Sequence, residues 1–265
     1  EWMIMRIITG MYKWDEPLQV GVAHKLTTSS EIFYKIFDVI EANPQLQEGF
    51  VKKIESKGSQ ELKTKKSRYI IRANNSASRG ISAPSTIYLD EVREYHDMDV
   101  WSSLRYTQMA SRNPMAILLS NAGDQHSIVL NKMKERAYAA IAGSPDNIAW
   151  FEWSGIPDTP IDRTSKKFWE SIAMANPSLG HTIDKKNIEA VLSDDESIIR
   201  TEVLCNWVSV INPVINPIAC NECKDPSLKL SGETTTWMAI DLTPDRKAAA
   251  LVAAQKLQGD EFVVA

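Results

Sequence analysis

Two short apolar runs, each ending abruptly in polar side chains, limit what this chain can fold into. Ile87-Tyr88-Leu89 stops at Asp90-Glu91, and about 30 residues later Ala116-Ile117-Leu118-Leu119 stops at Ser120-Asn121. Between them lies a helix-like stretch from about Val100 to Ala110. Runs that are short and apolar at every position suit strands buried on both faces of a parallel sheet. Strand, helix and second parallel strand imply a right-handed crossover. The expected fold class is α/β, with a doubly wound, mostly parallel sheet. Ligands of such sheets bind at the carboxyl ends of the strands. Asp90, Glu91, Ser120 and Asn121 therefore stand where chemistry is expected.

Other segments supply the remaining layers. Met3, Ile4, Ile7, Ile8 and Met11 recur at helical spacing, and Asp15-Glu16-Pro17 closes that helix. Leu18 to Lys25 reads as a buried strand. Thr28 and Glu31 have capping-box spacing and predict a helix with Ile32, Phe33, Ile36, Phe37 and Ile40 on one face, ended by Asn43-Pro44. The alternation in "RYIIRA" and a Gly58-Ser59 turn predict a hairpin within residues 51–72. Ala116 to Gly123 is expected to be a second buried strand. A helix over 127–142 leads to a strand at Ala149 to Trp153. From about Ile156 the composition shifts toward Pro, Asp and polar residues around short helices. One carries Phe168, Trp169 and Ile172; another opens at Ser193 and Glu196, again at capping-box spacing, and carries Ile199, Val203 and Trp207. Residues 208–233, with Pro213, Pro217 and Pro226, read as a linker. An alternating pattern then predicts a hairpin with Asp241 midway.

With 265 residues, 43% hydrophobic and 24% charged, the chain has the make-up of a globular protein with one large core or two smaller ones. No apolar run approaches the roughly 20 residues of a membrane span, so no membrane partner is expected. Three cysteines cannot build a disulfide framework. Cys220 and Cys223 form a single C-x-x-C, short of the four ligands of structural zinc, and are expected to be free thiols. His24, His96, His126 and His181 show no ligand spacing. A net charge of -4 excludes a global basic field for nucleic acid, so any DNA contact must be local. Residues 51–72 hold eight basic side chains against Glu55 and Glu61; they are either a DNA-backbone contact or a solvated hairpin face. The chain opens at Glu1 inside a helical pattern and closes on "EFVVA" inside a strand pattern, which reads as a piece of a longer chain.

The acid pair has two readings. Asp90 holds Mg²⁺, directly or through its water shell, and Glu91 polarises an attacking water; or a strand runs out into an acidic loop. Ser120 and Asn121 are placed either to sense a γ-phosphate or to form a turn. The polar loop Asn74 to Ser85 carries Arg79, which is either an arginine finger for a neighbouring subunit or a solvated side chain. A site of this kind needs G-x-x-x-x-G-K-[ST] to cradle phosphates, and no such string occurs in these residues. In P-loop order it would precede the first helix. Asp241, closing "WMAID", is either a metal ligand with Asp245 in a two-metal nuclease or a strand-end turn residue.

In order and spacing, "NNSASRGISAPSTIYLDEVREY", "LLSNAG", "FEWS", "ANPSLG", "TEVLCNWV" and "WMAIDLTPDRKAAALV" resemble the large terminase subunit of tailed bacteriophages over essentially the whole chain. The resemblance implies a P-loop ATPase domain over 1–155 that lacks its P-loop, a helical linker subdomain over 156–233, and the start of a ribonuclease H-like nuclease at 234–265. It implies Asp90 and Glu91 as the Walker B pair, with Glu91 the catalytic carboxylate. Ser120-Asn121-Ala122-Gly123 would couple hydrolysis to movement, Arg79 would act in trans, and Asp241 would be the first nuclease metal ligand. The implied cofactors are ATP and Mg²⁺, with Mg²⁺ or Mn²⁺ at the nuclease site. The implied partners are double-stranded DNA, a portal protein, a small terminase subunit and further copies in a ring. The implied setting is the host cytoplasm, with transient docking on a prohead. Neither site would be complete within these residues, so the isolated piece is expected to be inactive. A helicase-type DNA-dependent ATPase, or a non-catalytic remnant of a terminase, are the alternatives.

Overall fold

The computed structural model describes residues 1–23, 26–56, 60–73, 81–208, 222–242, 249–257, 259 and 261–264, with the side chains of 26–28 and 73 excepted. The chain divides into two compact units, Glu1–Asn212 and Pro213–Ala265. Among the described residues, the first unit is built on a six-stranded sheet of order β2-β3-β4-β1-β5-β6. Its strands are β1 (Leu18–Ala23), β2 (Phe50–Ile54), β3 (Glu61–Thr64), β4 (Arg68–Ala73), β5 (Thr86–Asp90) and β6 (Met115–Leu118). β1 runs parallel to both β4 and β5, and β5 parallel to β6, while β2 and β3 join antiparallel at one edge. The expected α/β class with a mostly parallel sheet is what forms.

Helices cover both faces. α1 (Trp2–Tyr12) and α2 (Leu26–Glu41) lie on one. Their buried residues Met3, Ile7, Met11, Phe33, Ile36 and Ile40 pack with Tyr69, Ile71 and Tyr88 from the sheet. Past α2 comes the short α3 (Pro44–Gln47), capped by the Asn43 side chain. α4 (Asp99–Thr107) and α5 (Ile128–Ile141) lie on the other face, where Val100, Leu104, Val129 and Leu130 meet Leu18, Val20, Ile87 and Leu89. Each of these large apolar side chains contributes about 1.5–3 kcal/mol by leaving water, and together they hold β1 and β5 at the centre. Buried polar side chains cross between the layers in hydrogen-bonded pairs, as burial favours. Tyr88 donates to Gln19 Oε1 at 2.6 Å, and Gln19 Nε2 donates to the Ile7 carbonyl at 3.0 Å. Gly21 of β1 leaves room for the buried Tyr69 side chain of β4, since a Cβ there would fall 2.2 Å from its hydroxyl.

Several expectations are corrected. α2 begins at Leu26, so Thr28 lies inside the helix and its spacing to Glu31 does not mark the start. β6 is an edge strand of half-buried and exposed residues, and it stops at Leu118; Ser120 to Gly123 continue as irregular chain. Ala149 to Trp153 forms no strand. That segment pairs with no described strand, and Phe151 is 78% exposed. Its apolar run supplied the propensity, but without a partner the ladder cannot form. The Gly58-Ser59 turn lies outside the described residues.

Residues 156–207 add a helical layer to the first unit with a core of its own: Phe168, Ile172, Ile188, Leu192, Ile199, Val203 and Leu204. α6 (Lys166–Ala175) is capped by Ser165, and α7 (Lys185–Val191) by Asp184. The last helix starts after Asp195 rather than at Ser193: α8 (Glu196–Ile198) runs directly into a π-helical turn, Ile199–Val203. In the second unit β7 (Trp237–Leu242), β8 (Ala249–Lys256) and β9 (Phe262–Val264) form an antiparallel sheet. Gln255 anchors residues 231–236 to it, donating to the Ser231 carbonyl at 2.7 Å.

Candidate active site

The carboxyl ends of β5 and β6 are tied together. Leu119 N–H donates to the Leu89 carbonyl at 2.9 Å, and Val92 N–H donates to the Leu119 carbonyl at 3.1 Å. Between these bonds the chain turns sharply, and Glu91 carries the turn in the left-handed region, at φ 52° and ψ 50°. A non-glycine residue there costs about 1–2 kcal/mol. Such strain persists only where surrounding structure over-determines it, and it clusters at functional sites. A 3-10 turn, Val92–Glu94, follows, with Val92 and Tyr95 buried in the core beneath.

This turn lifts both carboxyls to the end of the sheet. Asp90 is half-buried, and its Oδ1 accepts the Glu91 N–H at 3.1 Å. Burial pushes its carboxyl above the usual range, against that hydrogen bond. Glu91 is raised too, by burial first, with Arg93 opposing and Asp90, Glu202 and Glu94 reinforcing. The Glu91 side chain is 43% exposed, yet its Oε2 is sealed from solvent and accepts no hydrogen bond. Nearby burial, then the Asp90 charge, also raises the Tyr95 hydroxyl.

Arg93 organises the cluster. Its Nε lies 3.4 Å from Glu91 Oε2 and 3.5 Å from Glu94 Oε1, while its Nη1 donates to Glu202. Its backbone N–H donates to Ser120 Oγ at 2.9 Å. Burial lowers the guanidinium, but the bond to Glu202 and the three carboxylates outweigh it and raise Arg93 overall. Asn121 Nδ2 donates to the other oxygen of Glu202 at 3.2 Å. The π-helical turn thus hands one carboxylate to both the acid-pair turn and the end of β6; π turns are frequent at functional sites. Gly123 completes the junction. A Cβ there would lie 2.6 Å from Ser127 Oγ and 3.1 Å from the Trp207 ring. Trp207 is also held under Lys134, whose Nζ stands 3.9 Å from the ring centre.

Of the candidate residues, Asp90, Glu91, Ser120 and Asn121 are brought together. Arg79 lies outside the described residues, as do Asp245 and Cys220. Asp241 stands exposed on β7, opposite Ala250. Among the described residues no three His, Cys, Asp or Glu side chains form a metal cage. A single carboxylate such as Asp90 fits a Mg²⁺ that keeps several waters and takes its other ligands from phosphates. The Glu91 side chain, 43% exposed beside it, leaves carboxylate surface open to a water. The residues present therefore suit the hydrolytic half of a nucleotide site. The cradle for the phosphates is not among them.

No protein-family model matches the sequence, and no curated protein does. Solved structures do match. The large terminase of bacteriophage HK97 superposes with a TM-score of 0.65 at 19% identity, over 99% of this chain and 55% of that one. The fold is that of large terminases. A large terminase from a thermophilic bacteriophage matches with a TM-score of 0.51 at 9% identity, over 99% of this chain and 59% of that one. The large terminase ATPase domain of Thermus phage P74-26 matches with a TM-score of 0.51 at 12% identity, over 78% of this chain and 82% of that one. The chain thus spans a little over half of the length of the HK97 protein. Arg93 and Glu202 are the residues that sequence reasoning missed. Their 109-residue separation leaves no spacing signal, although both lie in segments that carry the terminase resemblance.

Proposed function

We propose that this chain is part of a phage large terminase, an ATP-driven motor that moves double-stranded DNA into a prohead. The observation that carries this reading is the acid pair: Asp90 and Glu91 at the end of a central parallel strand, with Glu91 held in a strained turn beside Ser120 and Asn121. The terminase-like fold supports it. Bound Mg²⁺ would neutralise charge on the phosphates of ATP. Asp90 would hold it, and the Glu91 carboxylate would orient the attacking water and accept its proton. Arg93 keeps the Glu91 carboxylate aimed by its charge, with its Nε 3.4 Å from Oε2. Ser120 and Asn121 are the groups at the end of β6 positioned to respond to a γ-phosphate. Arg79 is proposed to act on the phosphates of a neighbouring subunit in a ring.

The proposed organisation is an ATPase domain to residue 155, a linker subdomain over 156–233 and a nuclease beginning at 234. In that nuclease Asp241 would be the first ligand of a Mg²⁺ or Mn²⁺ pair that cuts concatemeric DNA. Portal protein and small terminase subunit are the proposed partners, in the host cytoplasm. The test is ATP turnover by the full product of the gene, with Mg²⁺, in the presence and absence of duplex DNA. Turnover that duplex DNA stimulates is expected; a full-length protein that neither binds nor hydrolyses ATP overturns the reading.

A further inference from the structure

A row of three cations crosses the antiparallel edge of the main sheet. Lys52 of β2 pairs in register with Lys63 of β3, which pairs with Arg68 of β4. Cross-strand partners share a face, with Cβ atoms about 4.5–5.5 Å apart, and like charges placed directly opposite are destabilising. This face is the one turned away from α1 and α2: Leu62 and Thr64, on either side of Lys63, are buried on those helices' side of the sheet, while Lys63 is exposed. The core on the Lys63 side covers β1, β5, β6 and, at Ile70, the inner part of β4, but it does not reach Lys52, Lys63 or Arg68. The row is thus left open to solvent.

Counter-charge is scarce there. Lys52, Lys63 and Lys65 make no ion pair among the described residues, and the one acid on the row, Glu61, reaches Arg68 only at 3.8 Å. Lys53, one residue from Lys52, does pair with Glu55 and lies 3.8 Å from the Phe37 ring centre, so the neighbouring lysine has a structural role that the row lacks. Eight basic side chains gather in residues 51–72 of a chain whose net charge is -4.

We propose that the face of β2, β3 and β4 bearing Lys52, Lys63 and Arg68, together with Lys65 in the turn after β3, binds the phosphate backbone of duplex DNA. Exposed cationic side chains lined across neighbouring strands suit a row of phosphates, and counterion release supplies the affinity. The face carries no aromatic side chain among these residues on which unpaired bases could stack, which favours duplex over single strands. The inference rests on the packaging-motor reading for its choice of DNA, and it assigns the contact to strands other than the one that carries the acid pair.

The experiment is equilibrium binding of a fluorescein-labelled duplex to the 265-residue chain across a salt series, without nucleotide. The comparison is wild type against the triple variant Lys52→Gln, Lys63→Gln, Lys65→Gln. Each lost phosphate contact removes about 0.9 from the slope of log affinity against log salt, so a slope shallower by about 3 and an affinity at least about tenfold weaker are expected. Neutralising Lys132, Lys166 and Lys185, which are ion-paired elsewhere, should leave both unchanged. The thermal midpoint of the triple variant should equal or exceed wild type, because opposed like charges are removed. Unchanged affinity and slope in the triple variant would overturn the proposal. So would equal losses in the control variant, tighter binding to single strands, or binding to anionic vesicles with none to duplex. Glu91→Gln should leave this binding intact, so failure of the ATPase reading and failure of this one are separately visible.

Discussion

Glu91 sits at φ 52° where a glycine would be at ease, and that single dihedral joins sequence, strain and chemistry. The strand before it is set by Ile87, Tyr88 and Leu89, all buried. The chain must then turn at once for Val92 and Tyr95 to reach the core, and the residue between carries the cost. Glu91→Gly should relieve the left-handed strain and raise stability by about 0.5–1 kcal/mol while removing the carboxylate. Urea midpoints of the two proteins check this. A loss of stability would mean that the ion pair with Arg93 outweighs the strain. Asp90 and Glu91 were legible in the sequence because a buried strand that stops at two carboxylates leaves a short-range mark. Glu202 left none, since its partners Arg93 and Asn121 lie far away along the chain and only the fold brings them near.

Among the helices and strands, the joint between the helical layer and the sheet is polar and partly exposed. Glu202 on the π-helical turn holds Arg93 and Asn121 together, with side chains of Arg93 and Glu202 at 23% and 42% exposure. Solvent screening limits such a pair to about 0.2–1 kcal/mol. A double-mutant cycle of Arg93→Gln and Glu202→Gln, read by thermal or urea unfolding, should give a coupling energy in that range. Strict additivity would mean that the pair does not hold the joint. The helices were readable from apolar periodicity because the stripes Met3, Ile7, Met11 and Phe33, Ile36, Ile40 do face the core. The strand expected at Ala149 to Trp153 was not, because periodicity reports propensity and a strand also needs a neighbour. Helix starts were misread at Thr28 and Ser193, where capping-box spacing occurs without serving as a cap; the helices begin instead at Leu26 and after Asp195.

Across the chain as a whole, the order of apolar runs was enough to place a parallel sheet with its acid pair at a central strand end. Pairing order was not readable. That β4 returns to lie beside β1, between it and the basic hairpin edge, depends on long-range register that local pattern does not encode. The second unit's hairpin was legible from alternation, and Asp241 lies on its first strand, β7. The acid pair is proposed as the hydrolytic half of an ATP site, and phosphate release by the full product of the gene tests it. Rates at saturating ATP and Mg²⁺ would be compared for wild type and Glu91→Gln, with nucleotide affinity measured alongside. Positioned acid–base catalysis is worth about 10²–10⁴-fold, so a loss of that order with affinity preserved is the expected result. Turnover unchanged by Glu91→Gln would contradict the role given to this carboxylate.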